Sequence, residues 1–179
     1  MHDSYHLSSL MKDFTKKVGT SPARSWLEQS SQEIRVIYTL FIVFALVGHL
    51  SFILISVYRI GPTVSEIVRH YRGDPSNEMS FPKEFMELLE VTHFHAYIEG
   101  ILLLVLAHLF AAAPLAKKIK MTVIATAFGS TFLDLSAPWL IRYLTPYAAY
   151  LQVLAWAGMC VSYLPLTFAP LYYLWKLGK

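Results

Sequence analysis

The chain has 179 residues, 55% of them hydrophobic and 15% charged, with a mean hydropathy of +0.46. That departs from ordinary soluble composition and sets a single compact membrane domain as the expectation. The net charge of +3 comes without the clustered basic face of a nucleic-acid binder, so no nucleic-acid partner is expected. The lone Cys160 excludes an intramolecular disulfide, a CxxCH haem attachment and a thiolate cluster.

The first 35 residues are polar and lack an apolar run followed by a small-residue cleavage site, so the first membrane helix is expected to direct insertion. Within them Leu7, Leu10, Met11, Phe14 and Val18 recur at helical spacing among Lys12, Lys16 and Lys17. This suits an amphipathic helix on the inner membrane surface, or equally a docking or loosely ordered tail. Ser21 and Pro22 then supply an N-cap and a first-turn proline.

Apolar runs follow at residues 36–58, 96–116, 119–141 and 147–175, each near or above the roughly 20 residues that cross hydrocarbon. Between the first two, Ile60-Gly61-Pro62 turns the chain. Thr63-Val64-Ser65-Glu66 then reads as a capping box for a short helix that Gly73 stops. Ser80 and Pro82 start the second long helix, which meets no further breaker until Pro114 and would be about 48 Å long. The third run carries Gly129, Ser130, Thr131, Asp134 and Ser136 before Pro138, and the fourth carries Gly158, Ser162, Pro165 and Pro170. Small residues favour close helix packing and the prolines favour bends. Trp139, Tyr143, Tyr172 and Trp175 read as interface anchors.

These elements define an all-α fold, an integral membrane four-helix bundle with an N-terminal amphipathic segment and an outer helical hairpin. Residues 1–35 form the N-terminal segment and 36–179 the transmembrane domain, with an outer loop over 59–84. Lys12, Lys16, Lys17, Arg24, Arg35, Lys117, Lys118, Lys120, Lys176 and Lys179 fall on one side, against Arg59, Arg69, Arg72, Lys83 and Arg142 on the other. The positive-inside tendency therefore puts both termini in the cytoplasm.

Ionisable groups inside membrane segments are costly and mark candidate sites. Here they are His49, Glu99, His108 and Asp134, with His93 and His95 at the outer boundary. At about 100° per residue, His93, Gly100, Leu104 and His108 share one helix face, whereas His95, Glu99, Leu102 and Leu106 share another. The first face suits a planar cofactor, with Gly100 leaving room, as in membrane b-type cytochromes. Each haem there needs a second axial ligand from another helix, and only His49 readily offers one. His49 and His108 are thus the expected ligands of a haem b, although two such histidines can equally hydrogen-bond between helices.

On the second face, His95 and Glu99 stand one turn apart, where a carboxylate can orient an imidazole or exchange a proton with it. That pair could serve a quinone or quinol, or join His70 in a small-metal site. Asp134 needs a partner: a histidine, an arginine or backbone freed near Pro138. Interhelical locking and proton transfer are both open to it.

The stretch EIVRHYRGDPSNEMSFPKEFMELLEVTHFHAYIEG, followed by LAHLF and FLDLSAPWLIRY, resembles a group of small four-helix bacterial membrane proteins of unassigned function. YRGDP, FPKEF and THFH are its most distinctive parts. The resemblance implies a bacterial inner-membrane protein, associated with respiratory electron-transfer machinery, and assigns no catalytic residue. The leading expectation is an electron-transfer subunit, haem-binding or quinol-facing, working with other membrane or periplasmic subunits. A non-catalytic accessory or anchor subunit is the competing class, and a metal-binding or proton-conducting protein using Glu99 and Asp134 is the third.

Overall fold

A computed structural model describes residues 27–77 and 79–176 of the chain. The expected amphipathic helix at Leu7 to Val18 and the cap at Ser21 lie outside the described residues. Helix α1 runs Gln32–Ile55 and ends in a π-helical turn, Ser56–Ile60. It begins four residues before the expected apolar run, and Arg35 in its first turn folds back to donate from Nε to the Ser30 carbonyl and from Nη2 to that of Glu28.

The turn after α1 is governed by Gly61, which has φ 102°. A Cβ there would lie 2.4 Å from that of Glu66, so only glycine fits. Helix α2, Val64–Arg72, then starts on the expected capping box. Thr63 N donates to Glu66 Oε2 at 3.0 Å, and Glu66 N donates to Thr63 Oγ1 at 3.3 Å. Gly73, with φ 79°, ends it. The apolar side of α2 buries Ile67 and Tyr71 in a cluster with Leu88, Ile141 and Ala148, so this short helix covers one end of the bundle.

Helix α3 spans Phe85–Ala112, starting later than Ser80 or Pro82. Pro82 biases the residue before it toward extended backbone, and Lys83 N donates to the Tyr71 carbonyl at 3.0 Å. The approach to α3 is thereby held along α2, and the helix is about 42 Å long. Helix α4, Lys117–Trp139, contains Pro138 and finishes in a second π-helical turn, Leu140–Leu144. Pro138 has no N–H to offer the Asp134 carbonyl. A 3-10 turn at Pro146–Ala148, capped by Thr145, leads into α5, Ala149–Trp175.

Together with their terminal turns these make four helices of 28 to 30 residues, long and apolar enough to cross a membrane. The fold is an all-helical, multi-pass membrane bundle, as expected, and among the described residues there is no strand. Its most extensive packing is between α4 and α5. Gly158 permits that approach, since a Cβ there would come within 2.8 Å of Ser130 Cβ. The core joins Leu103, Leu106 and Phe110 of α3 to Met159, Tyr163 and Leu166 of α5. Helix α1 sits at the margin, packed mainly on α5, with Ile42 and Ala45 buried and most of its other large residues facing out. Trp139 and Trp175, expected as interface anchors, donate from Nε1 to Thr92 and Thr39 across helices, each at 2.8 Å.

Candidate functional site within the bundle

The two faces of α3 separate as helical geometry requires. His93, Gly100, Leu104 and His108 are all exposed on the outside of the bundle, whereas Glu99 and Leu106 are buried, with His95 and Leu102 half-buried beside them. On the inward face His95 Nδ1 donates to Glu99 Oε1 at 2.9 Å, one turn away. That bond fixes the imidazole and leaves Nε2 as the nitrogen available to a ligand.

Asp134 projects from α4 toward α5. Its Oδ1 accepts a short hydrogen bond from Gln152 Nε2 and another from Trp156 Nε1 at 2.9 Å. Neither a histidine nor an arginine is the direct partner. Gln152 and Trp156 are the residues that sequence reasoning missed. Their signal was an amide inside an apolar run with an indole four residues later, hence on the same helix face.

His95, Asp134, Gln152 and Trp156 line one cavity of about 440 Å³, within the ordinary range of small-molecule sites. Phe52, Phe94, Leu135 and Pro138 supply apolar wall, and Arg59, His70 and Lys83 stand on the side nearest α2. Lys83 also makes a short ion pair with Glu87. Burial lowers the pKa of His70 below the usual histidine value, and the Lys83 and Arg59 charges push it the same way. A second, smaller cleft of about 150 Å³ is lined by His49, His95, Glu99 and Tyr163. There the His49 ring stacks on Tyr163, with centroids 4.6 Å apart and planes 11° from parallel. His95 belongs to both spaces.

The expected His49–His108 haem pair is not assembled within the chain. His49 turns into the smaller cleft, while His108 lies on the opposite, exposed face, with Nδ1 held by the Leu104 carbonyl at 2.8 Å. His108 is also nine residues, about 13 Å, further along α3 than Glu99. Gly100 opens space, but outward: nothing lies within 4 Å of where its Cβ would be. His93 packs edge-on against Tyr97 on that same outer face. The suggested trio of His95, Glu99 and His70 is also divided, because His70 reaches only the larger cavity and Glu99 only the smaller cleft. Among the described residues no three His, Cys, Asp or Glu side chains converge as a metal-holding group.

No curated protein and no solved structure matches the chain. A family described as a transmembrane helical domain does match, over residues 61–179, a span that takes in α2 to α5 and the cluster of His95, Glu99, Asp134, Gln152 and Trp156 but leaves out His49 and the rest of α1. The chain therefore belongs to the Aq_1264_TM family of transmembrane helical domains.

Proposed function

We propose that this protein is a quinol-facing membrane subunit of a bacterial respiratory complex, lying in the inner membrane with both termini in the cytoplasm. The observation that carries this reading is the larger cavity, which brings His95 of α3 and Asp134 of α4 to one apolar-walled space inside the spans. A quinol is a flat, largely apolar ring with a hydroxyl at each end. Its ring suits walls of Phe52, Phe94, Pro138 and Trp156, and its hydroxyls suit an imidazole at one end and a carboxylate–amide pair at the other. Oxidation of a quinol releases two protons, and His95 Nε2 and Asp134 are the groups placed to accept them. The two electrons pass to a redox centre carried by a partner subunit. Charge asymmetry supports the orientation, since ten Lys and Arg residues fall on the side of the termini and five on the side of α2.

Photo-cross-linking with an azido-quinone, followed by peptide mapping, tests the site. Labelling at Phe94, Trp156 or their neighbours, competed by unmodified quinone, is the expected result. Labelling confined to the lipid-facing residues of α1 refutes it.

A second reading, an accessory subunit seated against a larger membrane complex, is favoured by His93 and His108. A histidine within a span and facing outward is costly in lipid, and an adjoining helix would relieve that cost. Cysteine cross-linking from position 108 to a neighbouring membrane protein tests it, and capture of lipid alone argues against it.

A further inference from the structure

Behind His95 the bundle buries polar atoms that the protein itself does not satisfy. Glu99 Oε2, Thr131 Oγ1 and Tyr163 Oη all lack a hydrogen-bond partner, although their residues are only 8%, 6% and 3% exposed. Tyr163 and Thr131 approach one another across α4 and α5 without completing a bond of ordinary geometry. Orphaned polar groups inside a membrane protein are costly, so an arrangement like this calls for an occupant. The smaller cleft, about 150 Å³, touches both Glu99 and Tyr163 and has room for a few waters at roughly 30 Å³ each.

We propose that Glu99 is an internal proton store, loaded from the larger cavity through His95 and held against waters in the smaller cleft that bridge it to Tyr163. His95 is suited to the transfer because it borders both spaces and its Nδ1 already contacts Glu99 Oε1. In the loading step a proton donor in the larger cavity loses its O–H bond as an N–H bond forms at His95 Nε2. The Nδ1–H bond then breaks as an O–H bond forms on Glu99. The imidazole ends neutral in its other tautomer, and the donor keeps the negative charge that the carboxylate gives up. Unloading reverses these steps.

The groups facing Glu99 are few and come from every neighbouring helix. They are His49 on α1, His95 on α3 itself, Asp134 on α4 and Tyr163 on α5. No lysine or arginine is among them. The inference does not require that the donor be a quinol, and it stands or falls separately from that reading.

The test is infrared difference spectroscopy of the full chain in nanodiscs, recorded after pH jumps without added quinone. A carbonyl band of a protonated, buried carboxylic acid is expected, absent in Glu99→Gln and shifted in Tyr163→Phe, which removes the hydroxyl while keeping the ring stacked on His49. In His95→Phe its rise after the jump is expected to slow by about a hundredfold, the low end of what a positioned proton-transfer group contributes. Should Glu99→Gln fail to fold, the other two variants carry the test. The proposal is overturned if the band is unmoved in Tyr163→Phe, if its rise is unchanged in His95→Phe, or if it responds to sodium at fixed pH, which would make the cleft a cation site.

Discussion

Replacing Asp134 separates its structural role from its chemical one. Asp134→Ala removes the acceptor for both Gln152 Nε2 and Trp156 Nε1, leaving two donors facing the bundle interior. Interhelical hydrogen bonds in membranes average about 0.6 kcal/mol and reach about 1.7. A buried donor left without a partner costs about 1 to 3 kcal/mol. Both donors border the larger cavity, where water can partly replace the carboxylate, so the loss should be about 2 to 3 kcal/mol. Asp134→Asn keeps an oxygen in the same place, can still accept from both donors, and should cost under about 1 kcal/mol. Reversible unfolding in mixed micelles, or steric trapping in bicelles, measures both differences. An Asp134→Ala protein within about 0.5 kcal/mol of the parent would refute the lock between α4 and α5. If the lock holds, Asp134→Asn becomes the variant of choice for asking whether the proton at this position matters.

Three further outcomes follow from the packing and the caps. Gly158→Ala places a methyl 2.8 Å from Ser130 Cβ, so it should destabilise by about 1 to 3 kcal/mol, and Ser130→Gly in the same chain should recover most of the loss when both are measured by unfolding in micelles. Thr63→Ala removes the capping oxygen of α2 and should cost about 1 kcal/mol, visible as faster amide exchange at Glu66 and its neighbours. His70, on α2, has a pKa below the ordinary value, so the unfolded chain binds its proton first as the pH falls. The stability that the neutral ring contributes should be complete above about 6.5 and be lost as the pH falls from there through the lowered folded value. Unfolding measured across that range should show a slope that His70→Gln reduces; an unchanged slope would contradict the shift.

What could be read from sequence divides along local and non-local lines. The capping box at Thr63 and Glu66 and the stop at Gly73 depend on residues within one turn, and both form as expected. So does the separation of the α3 faces, because about 100° per residue places His95 and Glu99 together whatever the other helices do. The start of α3 was misplaced because the bond from Lys83 N to the Tyr71 carbonyl, a contact across the loop, holds the residues before Phe85 extended. The partners of Asp134 were hidden for a related reason. Gln152 and Trp156 lie 18 and 22 residues away, and only the rotation of α5 against α4 brings them round. The His49–His108 pairing depended on the same kind of unknown, since depth along two helices can be estimated from a sequence but their rotation about their own axes cannot.

The most direct measurement of the central claim is quinone binding to the purified full chain in nanodiscs, followed through the fluorescence of Trp156, which borders the larger cavity. Saturable quenching is predicted, reduced in Trp156→Phe. The affinity should weaken by about tenfold in His95→Ala, the equivalent of one hydrogen bond of about 1.4 kcal/mol, and remain unchanged in His108→Ala on the outer face. Quenching that rises linearly with quinone partitioned into the lipid, and is the same in His95→Ala, would contradict the account.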